Sequence, residues 1–299
     1  MPTLEFSCQS KGLRIDGLLH QPSNATTERR PTVVVASGMH GLKEWVPGRF
    51  APFLTAAGFN CVGFDYRGFG TSEGERGRML PMEEVWDTLT ILDAIRELPA
   101  VDPDRIAIIG WGLGAGIAIE AAALDPRVRA VCAANGAGDY GRAMRSSVTP
   151  EEWLAWKRRV DEDRVQRIRT GVSARVPNRY ITKPVTGGVR ISQQFHEDLK
   201  SLGQVLEPEF TIESSEAYIL FCPENSIWRV SPRPVLVLHG ERNWHYVVDE
   251  AYALYDKARH PKQLRIVPGG EHLEMIHPDN PEQGKTMALV VDWLRDNVS

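Results

Sequence analysis

The chain has 299 residues, of which 25% are charged, and its formal net charge is −4. This balance argues against nucleic acid or an anionic membrane surface as a partner. No apolar run reaches the roughly 20 residues that a membrane-spanning helix needs. No secretion signal is predicted, and the four cysteines are scattered without C-x-x-C pairs. We therefore expect a cytoplasmic protein with reduced thiols and a large core that could carry an inserted cap.

Strand and helix patterns alternate along the first part of the chain. Strands are predicted at 4–8, 13–20, 32–36, 60–66, 105–110 and 128–134, and helices at 49–57, 81–98 and 117–123. Such alternation is typical of a parallel sheet that is covered by helices on both faces.

The alternation stops between residues 139 and 230. Thr149 and Glu152 form a capping box around Pro150, which predicts the start of a helix with many charged residues. The sheet pattern resumes with a strand at 234–240, a helix at 248–258, a strand at 263–267 and a helix at 285–297. We interpret residues 1–138 and 231–299 as the α/β core, and 139–230 as an inserted, mainly helical cap.

A glycine-rich turn joins a β-branched strand to an apolar helix at Gly110-Trp111-Gly112-Leu113-Gly114. One interpretation is the nucleophile elbow G-x-S-x-G, in which the nucleophile stands at the tip of the turn. The other is the dinucleotide fingerprint G-x-G-x-x-G/A, which Gly110, Gly112 and Ala115 satisfy. A dinucleotide turn follows the first strand of its unit and has an acidic residue at the end of the next strand. Here the turn follows about the fifth strand, and the next strand ends at Asn135, so we expect no nicotinamide, flavin or other cofactor.

Four further motifs support the elbow interpretation. They are Ser37-Gly38-Met39-His40-Gly41-Leu42-Lys43-Glu44, Phe64-Asp65-Tyr66-Arg67-Gly68-Phe69-Gly70-Thr71-Ser72, His239-Gly240-Glu241-Arg242-Asn243 and Gly269-Gly270-Glu271-His272. In this order they resemble the oxyanion loop, the D-x-R-G-x-G-x-S turn, the acid turn and the histidine turn of the α/β-hydrolase superfamily. The resemblance is closest to its dienelactone-hydrolase-like and peptidase-like branch, which includes acyl hydrolases and polyketide acyltransferases of secondary metabolism. It implies the α/β-hydrolase fold, with a mostly parallel twisted sheet and helices on both faces.

The resemblance also assigns the candidate catalytic positions, and two of them depart from the family pattern. The nucleophile position is Gly112, the acid position is Asn243, and the histidine is His272. Glycine has no side chain that could form an acyl-enzyme, and a neutral amide does not stabilise an imidazolium as a carboxylate does. The resemblance places the oxyanion donors at the backbone N–H groups of Met39 and Leu113.

Other residues near these motifs are candidates for substrate binding. They are His40, Glu44, Trp111, His245 and Tyr246, each of which could instead have a purely structural role. Asp139 follows the sixth strand and is a candidate for a displaced catalytic acid, although a loop or hinge carboxylate is the simpler interpretation. No metal site is expected, because no H-x-x-H or carboxylate-rich spacing is present.

Three hypotheses remain open from the sequence. The first is a non-hydrolytic enzyme in which His272 transfers protons on a carbonyl compound, as in cyclisation, isomerisation, elimination or C–C bond lysis. The second is an ester, thioester or C–C bond hydrolase with a water activated by His272, and the third is a ligand-binding pseudoenzyme. The two departures could be natural or engineered. Eight aromatic residues of the proposed cap predict a largely apolar ligand. The resemblance implies a polyketide-like or other acyl compound, and a homodimer is left open.

Overall fold

The structure is a computed structural model that describes residues 1–24, 28–178 and 206–298, together with three isolated residues between the last two ranges. The strands are β1 (Thr3–Ser10), β2 (Leu13–His20), β3 (Arg30–Ala36), β4 (Asn60–Phe64), β5 (Val101–Trp111), β6 (Ala130–Ala134), β7 (Arg175–Pro177), β8 (Glu209–Thr211), β9 (Val235–Gly240) and β10 (Lys262–Val267). The helices are α1 (Val46–Ala56), α2 (Pro81–Arg96), α3 (Leu113–Leu124), α4 (Tyr140–Ser146), α5 (Pro150–Thr170), α6 (Ile212–Leu220), α7 (Asp249–Lys257) and α8 (Gln283–Val298).

Eight strands form one sheet in the order β1-β2-β4-β3-β5-β6-β9-β10. The pairs β1–β2 and β2–β4 are antiparallel, and all later pairs are parallel. The carboxyl ends of β3, β5, β6 and β9 therefore meet at one edge of the sheet, which is where open α/β sheets bind their ligands. The α/β-hydrolase fold expected from the sequence is confirmed.

The two faces of the sheet carry separate cores, because parallel strands are apolar on both sides. One core packs beneath α2 and α3, where Ile108, Val131 and Ile117 are fully buried. The other packs beneath α1 and α8, and Ile109 and Leu238 belong to it. Strand residues thus alternate between the two cores, which fixes the direction in which each strand end points.

The predicted core elements all occur, with small differences at their ends. Strand β4 ends at Phe64 because the next residue, Asp65, accepts backbone N–H groups from Lys43 and Thr71 and so begins a turn. Helix α1 begins at Val46, before the predicted start, with Pro47 in its first turn. Proline is well suited to that position because the first helical N–H groups have no intrahelical acceptor.

The described part of region 139–230 contains α4, α5, the β7–β8 hairpin and α6. The predicted capping box is present: Thr149 Oγ1 accepts the N–H of Glu152, and the Glu152 carboxylate accepts the N–H of Thr149. The hairpin is attached to the core, since Thr211 N donates to Gly77 O at 3.0 Å. The division into core and cap stays a prediction.

The aromatic residues predicted to line a ligand site in this region occupy different environments. Trp156, Phe210, Tyr218 and Phe221 are buried, Trp153 is half-buried and Trp228 is exposed, while Tyr180 and Phe195 lie outside the described residues. Cys61 and Cys132 are buried, and all four cysteines are free thiols. None of the helices that the structure describes is both long and apolar enough to cross a membrane.

Candidate active site

The elbow, residues 110–114, connects β5 to α3 in a very tight turn. Gly112 has φ 62° and ψ −122°, a conformation that strongly favours glycine. A Cβ at Gly110 would lie 2.0 Å from Gly114 O, and a Cβ at Gly114 would lie 2.2 Å from Ala36 O. These two glycines are therefore required by the close approach of strand, helix and β3, independently of any chemistry.

The tip of the elbow faces the candidate histidine. A Cβ at Gly112 would lie 3.4 Å from Nε2 and 3.6 Å from Cε1 of His272, at ordinary or nearly ordinary contact distance. The fold thus brings together the nucleophile and histidine positions that the resemblance assigned. No side chain at residue 112 stands between the backbone and the imidazole.

The predicted oxyanion loop lies beside the start of α3. A Cβ at Gly38 would lie 3.3 Å from Trp111 O and 3.9 Å from Leu113 N, and Gly41 N closes the loop by donating to Gly38 O. Leu113 is the first residue of α3, so its N–H has no intrahelical acceptor and lies at the positive end of the helix dipole. The roles of the Met39 and Leu113 amides as oxyanion donors stay predictions.

Aromatic rings surround His272, which is itself buried. Its ring centroid lies 5.0 Å from that of His245 and 5.5 Å from those of Trp244 and Tyr246. The candidate ligand residues His245 and Tyr246 therefore adjoin the imidazole. These three neighbours come from the turn after β9, so the same turn that carries Asn243 also forms the wall around His272.

Asn243 organises this turn through its side-chain amide. Oδ1 accepts the N–H groups of His245 at 2.9 Å and Tyr246 at 3.1 Å, while Nδ2 lies 3.2 Å from Nε2 of His239. The imidazole of His239 is buried, and burial lowers its pKa, so it is neutral at pH 7. The oxygen of Asn243 is thus committed to the backbone of its own turn, and its NH2 group is the part that remains to face other side chains.

A cluster of buried tyrosines supports the elbow and the Asn243 turn. The Tyr140 hydroxyl donates to Gly112 O at 2.8 Å, and the Tyr218 hydroxyl donates to that of Tyr246 at 2.9 Å. The ring of Tyr140 lies 5.1 Å from Tyr218 and 5.5 Å from Tyr246. Burial raises the pKa of all three phenols well above the ordinary value, so they are uncharged hydrogen-bonding groups at neutral pH.

The remaining predicted residues have clear structural surroundings. Asp139 is the N-cap of α4 and accepts the N–H of Arg142, and both interpretations of its carboxylate stay predictions. The indole of Trp111 packs at 5.9 Å from Phe50 in the core beneath α1 and α8, so its direct contact with a ligand stays a prediction. In the described ranges, no group of three or more His, Cys, Asp or Glu side chains is arranged to hold a metal.

The last two candidates lie on the oxyanion loop. His40 is buried, with ring centroids at 5.4 Å from Phe210 and 6.4 Å from Phe69, and thus lies between the core and the β7–β8 hairpin. The charge of Glu44 influences the imidazole of His20. Burial lowers the pKa of His20, and the Glu44 carboxylate partly opposes this shift. Neither observation tests their predicted contact with a substrate.

Sequence reasoning did not single out Asn135, Tyr140 or Trp244, and it named Tyr218 only as one of the eight aromatic residues of the proposed cap. Asn135 has a positive φ of 50° and precedes a glycine at the end of β6. An Asn-Gly pair directly after a buried strand is a signal that could have pointed to a special backbone turn there.

Fold and site together define a protein of the α/β-hydrolase class. The chain belongs to the Hydrolase_4 family (serine aminopeptidase, S33), whose profile matches residues 27–279. It is 30% identical to the uncharacterised protein PA2218 of Pseudomonas aeruginosa over 281 residues, which cover 88% of this chain and 73% of that protein. It is 23% identical to the polyketide transferase grgF of a Penicillium species, over 90% of this chain and 88% of that protein.

Solved structures agree on the fold. The α/β-hydrolase GrgF from Penicillium superposes with a TM-score of 0.82 at 22% identity, covering 100% of this chain and 99% of that chain. The structure of PA2218 superposes with a TM-score of 0.80 at 24% identity, covering 99% and 94%. The family match and the sequence relatives confirm the expected relationship to the peptidase-like and polyketide-acyltransferase-like part of the superfamily.

Proposed function

We propose that this protein is an acid–base enzyme that acts on a largely apolar carbonyl compound and uses His272, rather than a covalent nucleophile, to transfer the proton. The observation that carries the proposal is the elbow tip. A nucleophile position occupied by Gly112 directs no side chain toward His272, although a Cβ there would lie only 3.4 Å from Nε2. The imidazole therefore adjoins the place where the reacting group of a substrate would stand.

The chemistry that suits this arrangement is proton transfer at the carbon next to a carbonyl group. The N–H groups of Leu113 and Met39 would hold the carbonyl oxygen as negative charge develops on it, and His272 would take or deliver the proton. Cyclisation, isomerisation, elimination and C–C bond lysis all use such a step, and none of them needs an acyl-enzyme.

The neutral amide at the acid position, Asn243, would favour one tautomer of the His272 imidazole. Its Oδ1 accepts the N–H groups of His245 and Tyr246, and its Nδ2 lies 3.2 Å from Nε2 of His239, so the amide offers imidazoles an NH2 donor and not an acceptor. A donor at Nδ1 of His272 would keep the proton on Nε2, the nitrogen that faces Gly112. We expect His272 to begin the reaction as a proton donor, unlike the histidine of a Ser-His-Asp triad.

The surroundings indicate a neutral substrate. The described neighbours of His272 include the rings of Trp244, His245 and Tyr246, and the phenols of the tyrosine cluster are uncharged. Relatives named as the polyketide transferase grgF and the acyltransferase drtE of Aspergillus calidoustus, the latter 24% identical to this chain, support a polyketide-like substrate.

A second candidate function is hydrolysis by an activated water. It is supported by the space at Gly112, where the hydroxyl of a serine would otherwise stand beside Nε2 of His272. An oxyanion hole and substrate binding without the triad retain about 10³–10⁴-fold catalysis over water. A protein that only binds a ligand is the third possibility.

One experiment separates these functions. Aryl esters, acyl thioesters, unsaturated ketones and 1,3-diketones are incubated in deuterated water with the protein and with the His272→Gln variant, and the products are followed by NMR. The proposal predicts deuterium incorporation at the carbon next to the carbonyl, or isomerised product, which the variant loses. Release of a free acid whose new oxygen comes from the solvent, in a parallel incubation in ¹⁸O-labelled water, would indicate hydrolysis. Recovery of every bound compound unchanged would indicate a binding protein.

A further inference from the structure

The end of β6 contacts both halves of the candidate site. Ala134 O accepts the N–H of Gly112 at 3.0 Å, so it holds the tip of the elbow. Gly136 is pressed against the same turn, since a Cβ at this position would lie 2.8 Å from Gly112 O and 2.4 Å from the Cβ of Ala115. The residue between them, Asn135, faces the other half.

The side chain of Asn135 holds the turn that carries His272. Its Nδ2 donates to His272 O at 2.8 Å and to Glu271 O at 3.1 Å, while its Oδ1 accepts the N–H of Gly240 at 2.8 Å. Its backbone N–H donates to Leu238 O at 2.8 Å. One fully buried residue therefore ties β6 to β9 and to the histidine turn.

The chemistry of these contacts favours asparagine. The amide must supply two donor hydrogens and one acceptor oxygen within the length of a single methylene, a combination that aspartate and serine lack and that glutamine places one carbon further out. The φ of 50° is also costly for most side chains but is tolerated by asparagine, aspartate and glycine. Strained buried residues of this kind cluster at functional sites.

We propose that Asn135 is a positioning residue that sets the separation between the elbow tip at Gly112 and the imidazole of His272. The end of β6 is hydrogen-bonded to the elbow on one side and to the histidine turn on the other. Loss of the Asn135 amide therefore removes the contacts that hold the histidine turn at a fixed distance from the elbow. The proposal rests on the proposed function only in taking His272 as the reacting group.

The test uses two variants of Asn135 whose new residues, aspartate and glycine, also tolerate the positive φ at this position. Asn135→Asp retains the acceptor for Gly240 N–H and removes the NH2 donors, and Asn135→Gly removes the whole amide. The matched control is Asn60→Asp. Asn60 is equally buried, and its Nδ2 donates to Thr32 Oγ1 at 3.1 Å and to Ala100 O at 2.9 Å, at the opposite end of the parallel strands.

The readout is the Cε1–H signal of His272 in NMR spectra of histidine-labelled protein, which is assigned by its loss in His272→Gln. We expect this signal to shift or broaden in both Asn135 variants and to keep its wild-type position in Asn60→Asp, although all three variants melt at a lower temperature. An unchanged His272 signal in Asn135→Asp and Asn135→Gly would overturn the proposal. If the aspartate variant does not fold, the glycine variant, which avoids a buried charge, decides.

The measurement needs no substrate, so it is independent of the proposed reaction. A changed signal together with a wild-type protein that converts no carbonyl compound would preserve the positioning role and reject the proposed function. An unchanged signal together with turnover that depends on His272 would do the reverse. With a converted substrate in hand, the Asn135 variants should lower kcat at least tenfold, while Asn60→Asp leaves kcat unchanged at a temperature where it is folded.

Discussion

Two glycine-rich turns of this protein differ in what their side chains do. In the Asp65 turn, residues 65–74, the polar side chains are committed to the fold: the Asp65 carboxylate accepts hydrogen bonds from Lys43 and Thr71, and Ser72 donates to Asp65 O. In the elbow, the flanking glycines are equally constrained. A Cβ at the tip residue, Gly112, would instead meet His272 Nε2 at 3.4 Å, which is an ordinary contact distance. A motif can therefore be structural throughout, as in the first turn, or structural everywhere except at one position.

The largest expected effect comes from filling the crowded part of the elbow. In Gly110→Ala the Cβ would lie 2.0 Å from Gly114 O, and two backbones cannot move apart as a flexible side chain can. We expect a loss of more than about 3 kcal/mol in the free energy of unfolding, measured by chemical denaturation. Gly48→Ala is the control, because nothing lies within 4 Å of its Cβ. This substitution in helix α1 should raise stability by about 0.5–1 kcal/mol. Equal stability of the two variants would contradict the steric account of the elbow.

The next effect tests the charges beside the Asp65 turn. Arg67 donates through Nε and Nη2 to the fully buried carboxylate of Asp87. Asp87→Ala leaves the guanidinium without this partner and should lower the free energy of unfolding by about 3 kcal/mol. The exposed pair Lys285–Glu282 gives the comparison, and Glu282→Ala should change stability by less than about 1 kcal/mol. A small effect of Asp87→Ala would show that the turn does not depend on this ion pair.

Glu84 lies in the same helix as Asp87, but we expect its substitution to raise the free energy of unfolding at pH 7 rather than lower it. Its carboxylate is fully buried without a hydrogen-bond partner among the described residues. Burial, together with the nearby Asp87 charge, raises its pKa well above the ordinary value. The folded state then holds a proton that the unfolded state releases above about pH 4.5, so this group makes stability fall as pH rises. Glu84→Gln should be more stable than the wild type at pH 7, and the difference should shrink toward pH 4. A difference that is independent of pH would reject this protonation state.

Gly112→Ser has a modest effect on stability, and its chemical consequence is the most informative. The positive φ should lower the free energy of unfolding by about 1–2 kcal/mol. No steric clash adds to this cost, because a Cβ at this position meets no atom nearer than 3.4 Å. The new hydroxyl would stand beside Nε2 of His272, and we expect it to react with a fluorophosphonate probe, detected by mass spectrometry. Adding His272→Gln should abolish the labelling. Adding Asn243→Asp should accelerate it, because a carboxylate supports the imidazole as a base. Equal labelling with and without His272 would argue against the proposed geometry.

The fold followed from the sequence because its signals are local. The β-branched runs, the Thr149 capping box and the spacing of the motifs each act over a few residues, and the strands and helices that they predict occur with shifts of a few residues at their ends. The pairing of Gly112 with His272 also followed from the sequence, but only by way of the resemblance. Their separation along the chain gives no physical signal of contact.

The tertiary structure alone decided how the site is held together. The contacts of Asn135 with the backbone of Glu271 and His272 cross more than a hundred residues of chain, so no local pattern predicts them. The hydrogen bond from the Tyr140 hydroxyl to Gly112 O spans only 28 residues, but no local pattern predicts it either. The sequence by itself determined that the elbow tip lacks a nucleophilic side chain, because residue 112 is glycine. The packing of β6 against the elbow and the histidine turn determined where the remaining imidazole stands, because buried polar groups must find their partners across the whole fold.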